Sequence, residues 1–124
     1  MKLNQLYTAE SHESGAEVQI LDISGNKTPL KIKVRGVESK TVRKFKKKRL
    51  NAYIEAKQKE QEFDEDEFII EGLLEATIGW VGTDEKFSTQ LCRELYTEAP
   101  HVAEQVDDFI AEKRNFTKAK RKKS

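Results

Sequence analysis

The sequence is poor in the side chains on which most catalytic and metal sites depend. It has one cysteine, Cys92, and two histidines, His12 and His101, which are far apart and have no neighbours at ligand spacing. One cysteine cannot form an internal disulfide, so we expect a reducing, cytosolic setting. Cys92 and His101 could formally act as nucleophile and base, but a lone cysteine is more often a small buried hydrophobic residue. We therefore predict no catalytic, metal-binding or cofactor-binding site.

Glycine motifs and long apolar runs are also missing. The six glycines match neither the phosphate-binding loop nor the dinucleotide-binding spacing. No window approaches the roughly 20 apolar residues that a membrane span requires. Residues 1–15 contain no apolar core long enough for a signal peptide, and we expect them to form a flexible N-terminus. The expectation is a soluble, intracellular protein.

Charge, in contrast, is abundant and segregated. Charged residues make up 36% of the 124 residues, against about 25% in an average globular domain. The stretch Lys27–Lys59 has 13 basic and 2 acidic residues, whereas Glu60–Glu112 has 16 acidic and 2 basic ones. Net charge is only +1, so any role for charge must rest on local patches. The final segment, 117–124, has almost no apolar residue and is predicted to be a disordered basic tail.

Residues 17–35 are predicted to form a β-hairpin. In the second arm, LKIKV, the apolar residues Leu30, Ile32 and Val34 alternate with lysine, which is typical of a half-buried strand. The preceding segment, SGNKTP, consists largely of residues that favour turns, and Gly25 and Asn26 can adopt positive φ.

Helical periodicity follows the hairpin. Ser39 and Ser88 are predicted N-caps, and Asp64 with Glu67 would form a capping box. The predicted helices span about 39–62, 64–79, 88–98 and 100–113. The first should bury one apolar stripe, consisting of Val42, Phe45, Leu50, Tyr53 and Ile54. The predicted fold is one domain at 16–116 of class α+β, helix-dominated, with an N-terminal β-hairpin followed by about four α-helices.

The segment KTVRKFKKKR, residues 40–49, is the strongest local signal, because seven of its ten residues are basic. A helix of this kind could bind phosphates along a nucleic acid. However, Phe45 and Tyr53 fall on the apolar stripe, so aromatic side chains are not interleaved at exposed positions. The acidic block that follows could also fold back and neutralise the helix. A small nucleic-acid-binding protein that uses 40–49 and the basic tail therefore stands as the alternative, and nucleic acid is not the favoured partner.

Residues 80–116 resemble the C-terminal half of the tail assembly chaperones of long-tailed bacteriophages, the lambda-like siphophages included. The features that carry the resemblance are Trp80, then Phe87-Ser88 at the start of a helix, Pro100 after Leu95-Tyr96, and Asn115-Phe116 at the end. Upstream, the strand IKVRG and the basic helix opened by Ser39 are also similar to the family. The resemblance therefore extends over nearly the whole chain.

The resemblance implies a protein-binding role without an active site. Such chaperones bind the tape measure protein in the host cytoplasm, help recruit the major tail (tube) protein during tail morphogenesis, and are absent from the mature virion. In many relatives a ribosomal frameshift near the end of the gene makes a longer product. The adjacent Lys122-Lys123 is compatible with a slippery codon run, which the DNA sequence would test.

The candidate partner-binding residues are aromatic and basic. Apolar side chains would contact the largely apolar, helical tape measure protein, and cations would flank them. The alternating basic and acidic blocks also suit head-to-tail self-association into a homo-oligomer. The candidates are Phe63, Phe68, Trp80, Phe116, Lys46, Lys47 and Arg49.

Overall fold

A computed structural model describes residues 1–117, and over that range it contains five α-helices and a three-stranded sheet. The predicted class, helix-dominated α+β with an N-terminal hairpin, is confirmed. Apart from Thr117, the predicted tail at 117–124 lies outside the described residues. The elements are α1 (Ala9–Ser14), β1 (Ala16–Leu21), β2 (Lys27–Val34), α2 (Lys40–Gln58), α3 (Glu65–Ala76), β3 (Thr77–Val81), α4 (Thr89–Glu98) and α5 (Pro100–Ala111), with 3-10 turns at Leu3–Leu6 and Lys113–Phe116.

The sheet is antiparallel and has the order β1-β2-β3. Its hairpin pairs Val18 with Ile32, and both side chains are buried. At the turn, Gly25 adopts φ +87°, a left-handed conformation that glycine accepts without steric cost. The sheet presents its buried face to α5, which packs against β1 and β2.

The third strand was not predicted. The helix expected at 64–79 ends at Ala76, and Thr77–Val81 (TIGWV) pairs with β2 instead, with Trp80 opposite Ile32. β-branched and aromatic side chains favour a pleated, half-buried strand, and here this preference prevails over the apolar periodicity that α3 establishes. The prediction for the end of this helix is therefore wrong, and Trp80 lies on a strand.

The predicted helix starts hold. Ser39, Asp64 and Ser88 each accept a hydrogen bond from the backbone amide three residues on, at 3.0–3.1 Å. The capping box at Asp64 is only half formed, because the carboxylate of Glu67 is hydrogen-bonded to Arg93 of α4. Glu67 therefore ties the start of α3 to α4.

Residues 1–15 contain a short helix that was not predicted. Helix α1 occupies 9–14, and the side chain of His12 within it is 1% exposed. Its Nδ1 accepts a hydrogen bond from the Glu38 amide at 3.0 Å, and its ring stacks on Phe116 at 4.9 Å between centroids. These partners lie 26 and 104 positions away in the chain, so no local pattern could reveal them.

Candidate functional site

Helix α2 leaves much of its apolar stripe uncovered. Val42 is 7% exposed, but Leu50, Tyr53 and Ile54 are 58%, 39% and 45% exposed. The prediction that the whole stripe is buried is therefore wrong for its second half. The reason is geometric: α2 has 19 residues, or about 28 Å of helix, and its main helical neighbours, α1 and α3, are much shorter.

An aromatic cluster lies where α2 passes into α3. Tyr53 meets Phe63 edge-on at 5.3 Å, and Phe63 stacks on Phe68 at 4.3 Å. The Arg49 guanidinium lies 6.0 Å from the centre of the Phe68 ring, within reach of a cation–π contact. The structure therefore brings together three of the sequence candidates, Phe63, Phe68 and Arg49, and leaves both phenylalanines half-buried.

A groove of about 290 Å³ runs beside this cluster between α2, α3 and α5. Its apolar lining includes Phe45, Leu73 and the 45% exposed Ile69. Two sequence candidates, Lys46 and Arg49, stand along it. We call this surface the α2–α3–α5 groove. Ile69 was not among the candidates; it lies one turn before the buried Leu73, on the apolar face of α3.

A second, larger surface surrounds Trp80. This cleft of about 520 Å³ has an apolar lining, which consists of Leu30, Trp80, Leu91, Leu95 and Ala99. Three exposed carboxylates, Glu85, Glu94 and Glu98, also line it. Trp80 is held by a hydrogen bond from its Nε1 to the Glu85 carbonyl at 2.8 Å and by an edge-on contact with Phe87 at 5.0 Å. We call this surface the Trp80 cleft.

Phe116 does not belong to either surface. Its side chain is 0% exposed, between the ring of His12 and the edge of Phe109, whose centroid is 5.6 Å away. The Asn115 amide donates a hydrogen bond to the Phe109 carbonyl at 3.0 Å, which helps turn the chain back after α5. The prediction that Phe116 binds a partner is therefore corrected: it is a core residue, because α1 covers it.

The basic segment remains unneutralised. Among residues 1–117, no ion pair within 4.0 Å involves any of the seven cations of Lys40–Arg49. The acidic entry to α3 lies beside α2, but Glu67 pairs with Arg93. Lys47 is exposed and lies outside the α2–α3–α5 groove, unlike Lys46 and Arg49. The suggestion that the acidic block folds back onto these cations is therefore not supported.

The buried titratable groups are poorly suited to nucleophilic chemistry. Cys92 is 0% exposed, and burial raises the pKa of its thiol, which disfavours the thiolate that attacks substrates. Burial also raises the pKa of Tyr96, whose hydroxyl is 2.7 Å from Thr77 Oγ1. Within the part of the chain that the structure describes, no group of three or more His, Cys, Asp or Glu could hold a metal ion.

Comparisons with protein-family models, with curated proteins and with solved structures found no match to this chain. Among residues 1–117, no helix combines the length and apolarity that crossing a bilayer would require. The geometry thus defines a small α+β protein with two uncovered apolar surfaces and an unneutralised basic helix.

Proposed function

We propose that this chain is a tail assembly chaperone of a long-tailed bacteriophage, which binds the tape measure protein in the host cytoplasm and helps recruit tail tube subunits. It performs no catalysis and leaves before the virion is mature. The resemblance of residues 80–116 to that family motivates the proposal. The single structural observation that supports it most is the uncovered apolar lining of the α2–α3–α5 groove, where Ile69 is 45% exposed.

The α2–α3–α5 groove is the proposed contact for the tape measure protein. A helix with apolar residues at i, i+3 and i+4 places them in such a groove, and its affinity comes from apolar burial without a bond being made. Phe45 and Ile69 supply the apolar contact, and Lys46 and Arg49 stand where they can pair with acidic side chains that flank the bound stripe. Reversible release requires this contact to be modest, which agrees with a groove of about 290 Å³.

Co-expression with fragments of the tape measure protein encoded in the same genome tests the proposal. We expect the chain to keep such a fragment soluble and to co-purify with it. Ile69→Ser should lower the recovered fragment several-fold, because it removes apolar contact from the groove. Ile23→Ser is the matched control, since Ile23 is 82% exposed at the hairpin turn and outside the groove. Failure to solubilise or co-purify any fragment would contradict the proposal.

The alternative function is nucleic-acid binding through residues 40–49 and the basic tail. The observation that favours it is the absence, among residues 1–117, of ion pairs to the cations of that segment. A gel shift at physiological salt tests it. When the salt concentration is then raised, the logarithm of the binding constant should fall linearly with the logarithm of the salt concentration. Binding that is lost in the double variant K44A/K48A, with tape measure binding absent, would favour this alternative.

A further inference from the structure

The exposed face of α2 carries a regular ridge. Positions 43, 47, 50, 54 and 57 follow each other by four, three, four and three residues, which places them on one side of a helix. All five side chains are exposed. Two apolar residues at the centre have cations on both sides. We call this surface the α2 ridge, and it consists of Arg43, Lys47, Leu50, Ile54 and Lys57.

The Trp80 cleft has the opposite charge and a matching apolar centre. Glu94 and Glu98 lie one turn apart on α4, and Glu85 stands beside Trp80. In the described part of the chain, none of these three carboxylates forms an ion pair within 4.0 Å. The cleft therefore presents apolar side chains flanked by three unpaired carboxylates, and the α2 ridge presents apolar side chains flanked by three cations.

One molecule cannot bring these two surfaces together. Helix α2 packs mainly on α1 and α3, and neither of those helices lines the cleft, which β2, β3, α4 and the loops beside them form. A contact between ridge and cleft must therefore join two copies. Because the two surfaces differ, the contact is heterologous, and its repetition produces a ring or an open filament.

We infer that the α2 ridge of one copy docks in the Trp80 cleft of a second copy, so that the protein self-associates head to tail. Leu50 and Ile54 enter the apolar lining, and the ridge cations pair with Glu85, Glu94 and Glu98. This inference does not depend on the proposed function, because it requires only the chain itself. It leaves the α2–α3–α5 groove open for a different partner.

Sedimentation velocity of the purified full chain over a range of concentrations is the first test. We expect species larger than a monomer at about 0.1 M NaCl that dissociate at about 1 M, because the Debye length falls from about 10 to about 3 Å. Trp80 is the only tryptophan, so its fluorescence emission should shift as the larger species form. A monomer at every concentration and salt, or an emission that does not change on association, would overturn the inference.

Charge exchange between the two surfaces is the sharper test. Lys47→Glu and Glu94→Lys should each weaken association by about tenfold or more, because like charges then face each other. An equimolar mixture of the two variants should recover it, since every ridge then meets a cleft of opposite charge. Lys48→Glu is the matched control: Lys48 is exposed on the same helix but lies about 100° from Lys47 and outside the ridge.

The remaining outcomes also decide the question. If Lys48→Glu weakens association as much as Lys47→Glu, or if the mixture does not recover, the ridge is not the contact and the inference fails. If the chain stays monomeric while a tape measure fragment binds it, and Glu94→Lys weakens that binding, the fragment is the occupant of the cleft. The proposed function would then stand and self-docking would not.

Discussion

Replacing Phe116 by alanine should destabilise the fold severely, although Phe116 lies in a short turn beyond the last helix. The side chain is 0% exposed and contacts the rings of His12 and Phe109. Truncating a phenylalanine at such a site costs about 3–5 kcal/mol, the lost aromatic contacts included. With an unfolding entropy of about 0.26 kcal/mol/K for 124 residues, a loss of about 4 kcal/mol lowers Tm by about 15 °C.

Thermal unfolding followed by circular dichroism measures this effect, with Phe63→Ala as the matched control. Phe63 is half-buried and should cost about 0.8–1.5 kcal/mol, half of the transfer free energy of its side chain. The Tm of this control should therefore fall by only about 3–6 °C. If Phe116→Ala lowers Tm no more than Phe63→Ala does, the packing of residues 113–116 against α1 is not part of the stable fold.

Two further predictions concern His12, which neighbours Phe116. Gly36→Ala should lower the free energy of unfolding by about 1–3 kcal/mol through overpacking, because the new Cβ would overlap the His12 ring and lie 2.8 Å from Phe116 Cδ2. Gly79→Ala is the control, since a Cβ there meets no atom within 4 Å. Equal Tm values for the two variants would contradict the prediction. Burial lowers the pKa of His12 in the folded state, although the nearby Glu38 carboxylate opposes this and Lys113 adds to it. The unfolded chain then binds the proton more readily, so the free energy of unfolding should be fully retained above about pH 6.5 and should decrease as pH falls below that value. Denaturant unfolding between about pH 7 and 5 measures this decrease, and His12→Asn should abolish it; an unchanged slope in that variant would assign the decrease to other groups.

Local signals in the sequence were sufficient for most of the architecture. Ser39, Asp64 and Ser88 start helices because a side-chain oxygen and an amide three residues on are fixed by local sequence. The alternation in LKIKV likewise predicts β2, because a strand with one buried face repeats every two residues. These interactions do not depend on what the rest of the chain does.

The features that local sequence does not predict depend on tertiary contacts. The burial of Phe116 depends on α1, more than 100 positions away, so local sequence wrongly predicts that this aromatic residue at a helix end contacts a partner. The exposure of Leu50 and Ile54 depends on the lengths of the helices beside α2, which periodicity does not report. The Trp80 cleft forms because Leu30 and α4 lie on either side of β3. Local sequence predicts no strand at that position, so it could not predict the cleft.

The direct passage from α3 into β3 has a mechanical consequence. No loop residue separates Ala76 from Thr77, and the Thr77 hydroxyl is held by the Leu73 carbonyl at 2.6 Å and by Tyr96. Ile69, in the helical part of this continuous segment, lines the groove, and Trp80, in its strand, lines the cleft. Because no flexible link lies between them, we expect a ligand that moves α3 to move β3 as well, so that Trp80 fluorescence would detect binding at the groove as well as at the cleft.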